Sequence, residues 1–420
     1  MPMSPDPVSA SYRPLTSCGD VRESVRLDAD LSTTAPVCLT VRTRGVTIDG
    51  AGHRVQARQF AVLANHARVT VRNLISPAGV QIYGAGATGS RLENSQVGRV
   101  GVYMADDVTL IGNRMAMLAV QGLHEDPPLR TVVTGNTIGS KAERLVYLSP
   151  NGDGRVACVR SEIVFRENVV QSMPAPPARG AVLFYLRCGS HNSIVGNTFR
   201  SANATGILMR DEADANLLER NVVWVNTSVR AALHLISGNV DKHHPRDNVF
   251  RNNVFRGERA RSVWIQSRKF AANTFTGNVF WGAAPEGARI AGGSRNVFDH
   301  NTFVNDAAGN SVVIEAFHAP GNTYTSNIFV HEGGAFFRLS GVTDFAGHHG
   351  DHNVFFSRTG PAVFHRGWSL AQWRSRSGAD ASSIEADPLF TNPGGGDFSL
   401  RAESRARGAG AGGSDAGAPR

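Results

Sequence analysis

Helical periodicity is nearly absent from this 420-residue chain, and no apolar stretch is long enough to span a membrane. These absences exclude a helical bundle and a helical membrane protein. There is no phosphate-cradling glycine loop, no nucleophile elbow and no Cys-x-x-Cys pair, so the signatures of several large enzyme classes are missing. Lys and Arg number 43 against 35 Asp and Glu, yet no basic run is interleaved with aromatics, so nucleic acid is not an expected partner. Residues 1–17 lack the charged-then-apolar pattern of a secretion signal. Export is therefore expected to use a signal removed before this chain begins, or another route. Cysteines are few: Cys18 with Cys38, and Cys158 with Cys188 about one repeat apart. Both pairs are well placed for disulfides, which predicts an oxidising compartment, extracellular or periplasmic; four buried thiols in a cytoplasmic protein are the alternative.

What is abundant is a repeat. Asn248-Val-Phe, Asn253-Val-Phe, Asn273-Thr-Phe, Asn278-Val-Phe, Asn296-Val-Phe, Asn301-Thr-Phe, Asn322-Thr-Tyr and Asn327-Ile-Phe fall in pairs five residues apart, and the pairs recur roughly every 25 residues. Asn73, Asn94, Asn113, Asn136, Asn168, Asn197 and Asn221 precede them in similar settings, and Asn353 follows. A fixed period of this length marks a solenoid, a propeller or an array. The β-branched or aromatic residues after each Asn suit strands, and the Asn suits a tight bend of left-handed backbone or a stacked ladder of side-chain amides. Upstream of most motifs lies a short apolar strand, as in Gly206-Ile-Leu-Met-Arg, Ala232-Leu-His-Leu and Val263-Trp-Ile-Gln. This is the pattern of an all-β parallel β-helix of roughly a dozen coils, about 60 Å long at about 4.8 Å per coil. A β-propeller is the competitor, but its blades are longer. The 41% apolar fraction is ample for a core, and 45 glycines suit a chain that bends at every corner.

In chain order, residues 1–40 are expected to form a leader and N-terminal cap, 41–365 the β-helix, and 366–420 a capping segment and flexible tail. Trp368 to Arg376 is expected to lie as a short helix across the far end, and the Gly- and Ala-rich stretch Gly408 to Arg420 to be poorly ordered. Longer inserts at Leu123 to Arg130, Ser149 to Ser161, Met173 to Arg179 and Gly238 to Asp247 would collect on one face. The opening Ser17-Cys-Gly-Asp, Cys38 and Val46-Thr-Ile-Asp-Gly-Ala-Gly-His resemble the start of bacterial, exported right-handed parallel β-helix proteins of the pectate-lyase-like superfamily. The ending Ala386-Asp-Pro-Leu-Phe-Thr-Asn-Pro, Gly395-Gly-Asp-Phe-Ser-Leu and Ser414-Asp-Ala-Gly-Ala is similar to their close. The resemblance implies the right-handed fold. It spans lyases, hydrolases, C5-epimerases, maturation factors and tail spikes, and so implies no single activity.

A net charge of +8 favours an acidic partner, such as a uronate or sulfated glycan or an anionic surface; solvated surface arginine is the plainer explanation. Alternation along the longer strands predicts two outward columns. One reads Tyr147, Tyr185, Leu208, His234, Trp264; the other reads Ser149, Arg187, Arg210, Ile236, Gln266. Arg289, Glu315 and Arg338 extend the face, and Asp211, Glu212, Arg268 and Lys269 lie past the strand ends. Aromatic faces stack on sugar rings and arginine forks hold carboxylates, so Tyr147, Trp264, Gln266, Lys269, Glu212 and Asp211 are expected to bind a glycan. β-Elimination needs a cation for the uronate carboxylate, a base and an acid. Arg210 or Arg187, His234 and Tyr185 supply them. A C5-epimerase would use the same set. A glycoside hydrolase needs two carboxylates about 5–10 Å apart, and no clean pair appears on the columns. A non-catalytic glycan- or partner-binding protein would need only the aromatics. No cofactor is expected. Ca²⁺ is the one ion considered by analogy, at Asp106/Asp107 or at Asp211/Glu212/Asp214, beside a Zn²⁺ or Ca²⁺ alternative at His348, His349, Asp351 and His352 or at His243 and His244.

Overall fold

The computed structural model describes residues 12–122, 126–150, 158–173, 180–226, 231–237, 245–266, 271–309, 311–340 and 347–419; Arg268, Lys269, His243, His244 and parts of the four inserts lie outside them. Each regular coil has three strands, as in Thr205–Arg210, Leu217–Glu219 and Val222–Val225. Each pairs in parallel with its counterpart one coil on, here Ala231–Ile236, Val249–Arg251 and Val254–Gly257. The middle strands form a 15-stranded sheet; the longer first strands and the third strands make the two other faces.

The Asn-x-Phe pairs account for this geometry. Asn221 Nδ2 donates to Asn253 Oδ1 at 3.0 Å and to the Ile194 carbonyl at 2.8 Å, and the pattern repeats from Asn113 to Asn353. A second ladder runs from Asn192 to Asn322. These buried amides satisfy one another and the turn carbonyls, which would otherwise be stranded in an apolar interior. The left-handed residue is not the ladder Asn but the one before it, such as Arg220, Asn252, His300 and Ser326. The chain reverses there, leaving the Asn free to aim its amide inward. Asn73 and Asn94 occupy that reversing position themselves, and in the latter coil Ser95 takes the ladder place, its N–H donating to Asn113 Oδ1. Two residues past each ladder Asn an apolar residue enters the core, and from Asn248 to Asn327 it is an aromatic. Phe250, Phe275, Phe298, Tyr324 and His348 stack in one column, and Phe255, Phe280, Phe303, Phe329 and Phe355 in another.

The N-terminal start and the tail differ from expectation, while the short helix at the far end is as expected. Coils begin before Val41: Arg13–Leu15 pairs with Val25–Leu27, and Gly19–Val21 with Val37–Val41, because Val21, Val25 and Leu27 already alternate into the core. The Cys18–Cys38 disulfide links these first turns. At the far end, the helix Leu370–Ser377 is held by a Ser369/Gln372 capping box and buries Trp373 against Phe337 and Phe364. Asp380 terminates the Asn ladder, accepting from Asn353 Nδ2 at 2.9 Å and Trp373 Nε1 at 2.8 Å. The Gly- and Ala-rich tail is not loose. Gly417 N–H donates to the Ser326 carbonyl at 2.8 Å, Ala418 N–H donates to Thr302 Oγ1 at 3.0 Å, and Ala406 and Ala416 are buried. A Cβ at Gly417 would stand 2.6 Å from Ile328 Cδ1, so the small residues serve close packing on the third sheet rather than disorder.

Candidate functional site

The expected columns exist in register. Tyr147 pairs with Tyr185, then Leu208, His234, Trp264, Arg289, Glu315 and Arg338 on successive coils. Beside it run Arg187, Arg210, Ile236 and Gln266. Inward partners Phe184, Leu186, Ile207, Met209, Leu233 and Leu235 are fully buried, so the alternation is as the sequence predicts.

Among the described residues, Tyr185 and His234 do not open onto solvent. His234 is 1% exposed and Tyr185 4%. The rings in these columns lie about one coil apart and stack on each other. Tyr147 and Tyr185 have centroids 5.2 Å apart at 13°, with Arg144 5.0–5.2 Å from both rings. His234 and Trp264 are 4.7 Å apart at 10°, with Arg261 over Trp264 and His234 Nε2 3.3 Å from Gln266 Oε1. Coil spacing matches ring-stacking distance, so aromatics in register use their faces on one another rather than presenting them to a sugar.

The charged groups are similarly engaged. Asp211, itself buried, accepts from Arg187 Nε at 2.7 Å and lies 3.7 Å from Arg210. Burial opposes the Arg187 charge, but the Asp211 hydrogen bond and charge outweigh it and hold its pKa above the ordinary value. Burial raises the Tyr185 pKa, with Arg210 and Arg187 acting the other way, so the phenol is protonated at neutral pH. Glu212 accepts from the Cys158 N–H at 3.1 Å, beside the Cys158–Cys188 disulfide. Glu315 sits 3.3 Å from both Arg289 and Arg338. Asp211 and Glu212 thus hold the chain together instead of reaching outward, and Lys269 lies outside the described residues.

Arginines engage carboxylates considered for Ca²⁺. Arg130 binds Asp107 at 2.6 and 2.9 Å and Asp106 at 3.4 Å, while Arg246 binds Asp214 at 3.2 Å. His348 is buried among Tyr324, Phe337 and Trp373, and that burial lowers its pKa to about 4. Among the described residues no three His, Cys, Asp or Glu converge as ligands.

Sequence reasoning missed an open groove on the third sheet. Its volume is about 460 Å³, and Arg200, Trp224, Arg256 and Trp281 line it with Val222, Val254, Gly395 and Gly396. The first four are in register on successive coils. A signal was available: each directly follows an Asn-x-x triplet of the repeat, as in Asn197-Thr-Phe-Arg200 and Asn278-Val-Phe-Trp281.

A comparison with curated protein sequences finds no match. Among solved structures, the chain is similar to an alginate lyase, AlyF-OU02, in complex with G6 (15% identity, TM-score 0.48, 83% of this chain and 84% of that one). It is similar to the catalytic domain of a GH87 α-1,3-glucanase in complex with tetrasaccharides (10%, 0.49, 86% and 70%). It is also similar to a tailspike protein of E. coli bacteriophage HK620 in complex with a pentasaccharide (9%, 0.44, 81% and 66%). Residues 131–303 match the family model described as a right handed beta helix region. With parallel strands stacked coil on coil through and beyond that span, the chain is a right-handed parallel β-helix protein.

Proposed function

We propose that this protein works in an extracellular or periplasmic compartment on an acidic polysaccharide, cleaving it by β-elimination at a uronate on the long-strand face. The observation that carries the reading is the register that sets Tyr185, Arg187, Arg210 and His234 on three successive strands, within roughly 10 Å at the coil spacing. Arg210 neutralises the uronate carboxylate, which makes the proton on the neighbouring carbon acidic. His234 takes that proton, and the electron pair left behind forms a carbon–carbon double bond. The glycosidic C–O bond then breaks, and the Tyr185 hydroxyl gives its proton to the leaving oxygen. Arg187 is committed to Asp211 at 2.7 Å, whereas the Arg210 side chain is 40% exposed, which favours Arg210 for the carboxylate. The two disulfides support the compartment.

The burial of His234 favours a second reading, a β-helix that binds glycan or a partner protein without cleaving it. Incubation with alginate, polygalacturonate and other uronate glycans separates the two. Lyase action gives ultraviolet absorbance from unsaturated ends, and His234→Ala abolishes it. Reducing ends without that absorbance would mean hydrolysis, and binding without either would leave the second reading.

A further inference from the structure

The third sheet changes character halfway along its outward face. Toward the far end the column reads Val304, Val330 and Phe356, and the chain's own C-terminal segment covers it with Phe390, Phe398, Ala406 and Ala416. Toward the middle the column reads Arg200, Trp224, Arg256 and Trp281; the cover reaches Trp281, which is 8% exposed with the Phe398 ring 5.3 Å away, and stops there, leaving Arg200, Trp224 and Arg256 beside the groove. The cover ends at Gly395-Gly396, where left-handed Gly396 turns the chain against the Trp281 ring. Where polypeptide docks, the sheet is apolar; where the sheet is open, it carries guanidinium and indole groups.

The indoles are fixed by their edges. Trp224 Nε1 donates to Glu258 Oε1 at 3.0 Å, and Trp281 Nε1 donates to Asp306 Oδ2 at 2.5 Å. Arg256 lies 3.9 Å over the Trp281 ring and 3.2 Å from Glu258. Arg200 is exposed and makes no ion pair among the described residues, so its planar fork faces solvent at the mouth of the groove. Val222, 43% exposed, adds apolar floor beside Trp224. Trp224 brings a half-exposed indole to the groove, with Arg200 one coil before it and Arg256 one coil after, at about 4.8 Å per coil. A ligand that fits must join a flat apolar face to anionic groups along one line. An acidic polysaccharide has both, through its sugar-ring faces and its carboxylates or sulfates; an apolar peptide lacks the charge. The volume lies within the range of about 300–1,000 Å³ usual for ligand sites.

We propose that the Arg200–Trp224–Arg256–Trp281 groove is a second glycan-binding site, holding a short run of anionic polysaccharide on a face separate from Tyr185 and His234. It retains substrate chains without taking part in bond cleavage. The inference shares the substrate class of the proposed function but not its residues.

Isothermal titration of the full chain with polygalacturonate, alginate and heparin oligosaccharides, and with neutral dextran, tests it. The wild type should bind at least one anionic probe and not dextran. Trp224→Ala should weaken that binding about tenfold, Trp224→Phe should restore most of it, and Arg200→Gln should reduce both affinity and its salt dependence. His234→Ala should leave this binding unchanged. Melting curves of each variant check that the fold persists. Unchanged binding in Trp224→Ala, binding of dextran as tight as that of the anions, or no binding of any probe would overturn the proposal. Loss of binding in His234→Ala alone would overturn the groove while leaving the lyase reading intact. Loss in Trp224→Ala alone, with no unsaturated product from the wild type, would do the reverse.

Discussion

The long-strand face and the third-sheet face of the same coils differ in what their outward columns touch. Tyr185 and His234 stack on Tyr147 and Trp264 and are almost wholly buried, whereas Trp224 and Arg200 border an open groove of about 460 Å³. Both faces mix aromatics with arginines. The difference lies in the order. Aromatics on adjacent coils stack on each other at coil spacing, while aromatics alternating with arginines do not meet and leave surface for a ligand. Rings in a column are therefore weak evidence for a glycan cleft until their neighbours above and below are known.

The largest effect that would sharpen this contrast is catalytic. His234→Ala should lower the rate of unsaturated-end formation at least a hundredfold on any uronate the wild type cleaves, within the usual range for loss of a general base. Next is stability. Tyr185→Ala should cost about 3–5 kcal/mol in the denaturant transition, as for a large buried ring, while Trp224→Ala on the open face should cost much less. Equal costs would break the comparison. Tyr185→Phe should keep the midpoint near wild type yet lose most activity, which separates its hydroxyl from its packing. Asn278→Ala, in the middle of the ladder, should cost about 1–3 kcal/mol because it takes the donor from the Phe250 carbonyl and the acceptor from the Asn253 side-chain amide and backbone N–H in the core.

Stability should also depend on pH. His331 and His348 are buried, and burial lowers both pKa values to about 4 from an ordinary 6.5. In that window the unfolded chain binds more protons than the folded one, so stability is fully present above about pH 6.5 and falls as pH drops toward 4. Thermal midpoints measured from pH 7.5 to 4 should decline across this interval. In the double variant His331→Gln, His348→Gln the decline should be shallower.

Much of the architecture was legible because the repeat marks both the turn and the core: Asn248 to Asn327 carry the ladder, and the aromatics two residues on fill the interior. Facing was legible too, since alternation along Val182–Arg187 and Ala231–Ile236 leaves little choice. Accessibility was not. Whether His234 meets water depends on what stacks beside it, and Trp264 is 30 residues away in sequence. The tail was misread because Gly and Ala signal disorder by composition but close packing by geometry, as Gly417 over Ile328 illustrates. The groove was less legible because its residues lie on short four-residue strands, although Arg200, Trp224, Arg256 and Trp281 share one position of the repeat.

The most direct test is a time course of ultraviolet absorbance with a panel of uronate polysaccharides, run in parallel for the wild type, His234→Ala and Trp224→Ala. The account predicts unsaturated product from the wild type, none from His234→Ala, and from Trp224→Ala near-normal turnover on short oligosaccharides with slower attack on long chains. Product formation by His234→Ala at the wild-type rate, or none by the wild type on any uronate, would contradict it.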